Sequence, residues 1–167
     1  MLKYLCLFIM LLIFTSCSNS NKPEEQTGNP ETKQAGAYKP GFGEFMTYIQ
    51  IHHAKLWFAG KNQNWKLAEF ELDEITEIVE AIKTYQKERE ETKVLQILDP
   101  AIDSVKNAIQ KQSPKLFIQS FTDLTNTCNT CHHAVKFEFN VVKIPDTPPF
   151  SNQDFTLNDT SRKVQFK

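Results

Sequence analysis

The seven residues Thr127-Cys128-Asn129-Thr130-Cys131-His132-His133 place two thiols three positions apart, with an imidazole directly after the second. Three chemistries use such a set. Cys-x-x-Cys-His is the attachment pattern for c-type haem. On a helix, sulfurs at i and i+3 both reach the edge of one porphyrin, and the histidine at i+4 is directed at its centre, so Cys128 and Cys131 would fix the ring and His132 would ligate iron. A structural zinc site needs four ligands, which Cys128, Cys131, His132 and His53 would have to supply without the second knuckle that such sites usually have. A disulfide exchanger wants its Cys-x-x-Cys at a helix N-terminus, where the helix dipole lowers the thiol pKa. Shuffling four cysteines and four histidines through 167 positions produces the haem pattern in roughly two chains per thousand, so the haem reading leads.

The elements that must position these residues are helical. Phe117, Phe121, Leu124, Cys128, Cys131/His132 and Val135 step down one side of a pattern that begins with Ser113 as cap and Pro114 at the first helical position. The cysteines therefore lie near the end of this helix, not at its start. A first helix is expected over 41–59, with Phe42, Phe45, Met46, Ile49, His53, Leu56 and Trp57 on its apolar face and Gly60 as its stop. A second runs from cap Asn64 to about Arg89 on the seam Ala68, Leu72, Ile75, Val79 and Ile82, with Glu69, Glu71, Asp73, Glu74, Glu77 and Glu80 on its solvated faces. A third, shorter one is capped by Asp99, starts at Pro100 and ends near Gln112. Beyond Lys136 the prolines 145, 148 and 149 exclude another helix, so 137–167 reads as an extended tail in which Phe150 and Phe155 cover an end of the helices. The fold class is all-α, a four-helix bundle over 41–136 with that proline-containing tail.

The first residues read as an export signal. Lys3 supplies a short basic region, Tyr4 to Phe14 an apolar run, and Ile13-Phe14-Thr15-Ser16-Cys17 resembles the box at which bacterial lipoproteins are cleaved and acylated on cysteine. The expectation is a signal peptide over 1–16, lipidated Cys17, and a polar tether over 17–40 with a root-mean-square reach of roughly 25 Å. Cys6 leaves with the signal and Cys17 carries lipid, so the domain keeps only Cys128 and Cys131. Removing 1–16 takes Lys3 and no acid, leaving 18 basic against 20 acidic residues. That balance argues against a nucleic-acid partner. The anchor itself implies a lipid bilayer.

A haem motif near the C-terminal end of the last of four amphipathic helices resembles the class II cytochromes c, the family of cytochrome c-prime and its low-spin relatives. Lys136, four positions after His132, resembles the basic residue found there in that family. The segments His53-Ala54-Lys55-Leu56-Trp57-Phe58-Ala59-Gly60 and Asn64-Trp65-x-Leu67-Ala68-x-Phe70-Glu71 are similar to bacterial haem-binding proteins related to that class. The resemblance implies one covalent haem c, a sixth ligand or an open gas site contributed by the first helix, and a homodimer formed through the first two helices.

Met46 lies where low-spin members place a methionine, and His53 is the alternative, two turns further along and about 10 Å away, so that both cannot reach one iron. His52 is expected in solvent and His133 facing away from the haem. Trp57 and Trp65 close one end of the core, and Lys55, Lys61 or Lys66 would meet the haem propionates. No convergent acid or base marks an enzyme. The expected activity is single-electron transfer between periplasmic or membrane redox proteins, with a gas-binding haem protein and a zinc-stabilised scaffold as alternatives.

Overall fold

A computed structural model of the chain describes residues 38–156; the expected signal peptide, Cys17 and most of the tether lie outside them, as do the last eleven positions of the tail. The helices are α1 (Phe42–Lys61), α2 (Trp65–Tyr85), a short α3 (Glu90–Val94) continued by a 3-10 turn (Leu95–Leu98), α4 (Asp99–Gln110) and α5 (Pro114–Ala134). No strand occurs among the described residues. The class is all-α. Helix α1 packs against α2 and α5, α2 against α4, and α4 against α5.

The apolar stripes become the core. Ala68, Leu72, Ile75, Val79 and Ile82 of α2 are all buried, as are Ala101, Ile102, Val105, Ala108 and Ile109 of α4. On α5, Phe117 and Phe121 are fully enclosed. Trp57 packs tilted against Phe121 at 5.0 Å, and Trp65 meets the edge of Phe117 at 6.1 Å, so the two tryptophans seal the core beside the α1–α2 turn.

Helix ends follow local chemistry. Asn64 Oδ1 accepts from Leu67 N–H and Ser113 Oγ accepts from Leu116 N–H, so both cap as their residue types predict. Three C-termini share one device. Gln63, Gln112 and Lys136 adopt positive φ of 58°, 49° and 62°, and paired amide bonds run back over each last turn, as in Asn64 N–H to Ala59 and Phe137 N–H to His132.

Five expectations need correction. Gly60 does not stop α1; it lies inside the helix beneath Phe117, whose ring carbon Cζ would sit only 2.1 Å from an added Cβ. Glycine is there for close approach. Helix α2 ends at Tyr85 instead of Arg89, because the next apolar residues, Val94, Leu95, Ile97 and Leu98, turn back as α3 and the 3-10 turn to reach the core. Asp99 is the first residue of α4 with no capping bond, since the chain enters directly from the 3-10 turn; its carboxylate meets Lys83 Nζ at 3.3 Å. Glu71 is not on a solvated face. It is fully buried between α1 and α2, with His52 Nδ1–H donating to its Oε2 at 2.7 Å and Lys55 Nζ lying 3.6 Å from Oε1. His52, expected in solvent, is thus half-buried as the partner of that carboxylate.

Candidate functional site

A cavity of about 700 Å³ opens between α1, the α3/3-10 segment, the end of α5 and the chain just beyond it. That volume falls within the range of roughly 300–1,000 Å³ typical of small-molecule and cofactor sites. Cys128, Cys131 and His132 lie on its wall, and across from them α1 contributes Met46, Ile49 and His53. The helix period explains the gathering: residues 46, 49/50 and 53 fall on one face of α1, and 128, 131/132 and 135 on one face of α5.

Both cysteines are free thiols. Burial, reinforced by the charge of Cys131, pushes the Cys128 thiol up to about 12. Burial first, then the nearby Glu91 carboxylate, also pushes up that of Cys131. Both therefore remain protonated at neutral pH, the opposite of the activated thiolate that disulfide exchange requires.

His132 is already oriented. Its Nδ1 lies 2.5 Å from the carbonyl of Asn140, which can only accept, so Nδ1 carries the proton and Nε2 keeps its lone pair. A backbone carbonyl on one ring nitrogen is the usual partner of a metal-ligating histidine.

His53 is held differently. The Thr125 hydroxyl donates to the Phe121 carbonyl at 2.9 Å and accepts from His53 Nε2–H at 2.9 Å. The ring packs 4.4 Å from Phe121, and burial lowers its pKa to about 4, so it is neutral. Nε2, the nitrogen hydrogen-bonded to Thr125, is thus not free to serve as a ligand in this arrangement. Among the described residues no three His, Cys, Asp or Glu side chains converge at metal-binding spacing. Met46, partly buried on the cavity wall, packs against the core without a polar commitment.

Charged groups at the cavity differ from those expected. Lys55, Lys61 and Lys66 are not on its wall; Lys55 leans towards Glu71 and the Phe150 ring, and Lys61 towards Trp57. Their place is taken by Arg89 and Lys143. Arg89 lies over Phe42, and its Nη2–H and Nε–H donate to the two oxygens of Glu91 at 2.6 and 3.1 Å. Trp57 and Trp65 do not line the cavity, and His133 is exposed on the far side of α5.

Sequence reasoning missed two parts of this wall. Leu95 and Leu98 lie in a segment whose signal was the apolar pairs Val94-Leu95 and Ile97-Leu98 just ahead of Pro100. Phe137, Asn140, Val142 and Pro145 come from the chain after α5, where aperiodic residues gave no cue to what they cover. No protein-family model, curated protein or solved structure matches this chain. No helix among the described residues is long and apolar enough to cross a membrane.

Proposed function

We propose that this chain is an exported c-type monohaem cytochrome that carries single electrons between periplasmic or membrane redox proteins, on a four-helix bundle of the class II cytochrome c type. One observation carries the reading: Cys128, Cys131 and a tautomer-fixed His132 share one cavity wall, opposite Met46. The residues fit a haem in donor chemistry and in the volume they surround. Cys128 and Cys131 would hold the ring by thioethers, His132 Nε2 would ligate iron, and Met46 would be the sixth ligand. A haem c so bound supplies a one-electron iron couple. The protein's part is to orient and to insulate: the Asn140 carbonyl fixes the His132 ring, Ile49, Leu95 and Leu98 exclude water, and Arg89 and Lys143, paired in this structure with Glu91 and Asp146, are the cations on the wall that acidic substituents would have to recruit from those partners. An acylated Cys17 and the tether would keep the domain at a bilayer within reach of its partners, and pairing through α1 and α2 would give a homodimer.

His53 is the weaker candidate for sixth ligand because Thr125 occupies its Nε2. Spectra of oxidised and reduced protein test the assignment. A low-spin spectrum that is lost in Met46→Ala supports electron transfer. A high-spin ferrous form that takes up carbon monoxide in the wild type rejects Met46 ligation and favours a gas-binding protein.

A further inference from the structure

Asn129 is the first of the two variable residues between the cysteines, and its side chain reaches the chain that follows α5. Its Nδ2–H donates to the Val142 carbonyl at 2.8 Å and its Oδ1 accepts from the Val142 amide at 2.8 Å. The carboxamide thus imitates a neighbouring strand, satisfying both backbone groups of one residue thirteen positions away. Nδ2 also lies 3.3 Å from the Thr125 carbonyl of its own helix, which keeps the amide in this rotamer.

Two residues before Val142 stands Asn140, the acceptor of His132 Nδ1–H. Asn140 N–H itself closes a turn onto the Phe137 carbonyl at 2.9 Å. Residues 137–142 therefore form a strap tied to the last turns of α5 through His132 and Asn129, which are three positions apart on one helix face. The Phe137 amide bond to the His132 carbonyl at 2.7 Å holds its start, while Phe139 and Val141 are 79% and 71% exposed and add little packing.

We propose that Asn129 is a positioning residue for His132: its paired bonds to Val142 register the strap so that the Asn140 carbonyl meets Nδ1–H and Nε2 is presented to the cavity. The proposal deepens the haem reading and rests on it for its consequence, because a carbonyl on Nδ1 raises the basicity of a ligating imidazole. The geometry itself belongs to the polypeptide.

The test uses full-length protein from a host with haem-attachment machinery, carrying whatever cofactor it takes, as wild type, Asn129→Ala and Val142→Pro. Chymotrypsin cleavage after Phe137 and Phe139 reads the strap, and hydrogen exchange of the His132 Nδ1 proton by NMR reads the imidazole. Alanine favours the helix, so helical content should hold; Val142→Pro removes the Val142 N–H half of the tie, leaving the carbonyl half, without altering any helical residue. Loss of both hydrogen bonds in Asn129→Ala is expected to speed cleavage about tenfold or more and to accelerate Nδ1–H exchange to a similar degree, with a smaller effect in the same direction for the single bond lost in Val142→Pro. Wild-type exchange at His132 in a folded variant overturns the proposal, including the case in which cleavage alone increases. Absence of covalent haem, with both readouts shifting as expected, overturns the haem reading instead and leaves the positioning role standing.

Discussion

The neutral, buried His53 makes the protein's stability depend on pH in a defined window. In the folded chain its pKa is lowered to about 4 by burial, whereas an unfolded histidine titrates near 6.5. Between those values the unfolded chain binds a proton that the folded chain does not, so unfolding is favoured as pH falls from 6.5 towards 4. At pH 7 and above the contribution is complete. About 2.5 pKa units at 1.36 kcal/mol each amount to roughly 3 kcal/mol over the window, a large part of a typical domain's stability. Carboxylates titrate nearby, so the measurement is a difference. Urea unfolding of wild type and His53→Gln is followed at pH 7.5, 6, 5 and 4.5. Glutamine still reaches Thr125 but does not titrate. At neutral pH the wild type is the more stable, and its advantage shrinks by about 2–3 kcal/mol by pH 4.5. An advantage that stays constant across the series refutes the buried neutral imidazole.

Three further perturbations follow from particular contacts. Gly60→Ala drives a methyl into the enclosed Phe117 ring; despite a gain in helix propensity, urea unfolding should show a loss of about 2 kcal/mol, and a neutral result would mean the α1–α5 contact is looser than described. Lys136→Gly relieves a left-handed backbone at the end of α5 and should stabilise by about 0.5–1 kcal/mol in the same assay, whereas destabilisation would mean the lysine side chain contributes a contact of its own. With its thiol pushed up to about 12, Cys128 in protein made without haem attachment should alkylate with iodoacetamide on the order of a thousandfold more slowly than an exposed cysteine near pH 8. Rapid labelling at neutral pH would restore the disulfide-exchange reading.

Much of the scaffold was legible because it obeys periodicity. The 3.6-residue stripes on α2, α4 and α5 match their buried faces, and Asn64 and Ser113 cap as their types predict. The motif residues and the α1 face carrying Met46 and His53 were placed by the same rule. What failed did so through tertiary contact. Gly60 reads as a stop until Phe117 is laid over it, and Glu71 reads as solvated until His52 and Lys55 arrive from the neighbouring helix. The α3/3-10 segment and the strap were illegible for another reason: their residues reach the cavity through turns and single hydrogen bonds, which leave no period in the sequence. Asn129 was invisible because its partner lies thirteen positions away in an aperiodic stretch.

The most direct test of the central claim is the intact mass of the mature wild-type protein, with a pyridine haemochrome spectrum, beside Cys128→Ala and Cys131→Ala made in the same haem-attaching host. The wild-type chain should be heavier by one haem and give a c-type haemochrome, and stable covalent haem should be lost when both cysteines are replaced. A mature wild-type chain that is colourless and weighs only its polypeptide plus lipid would refute the haem assignment.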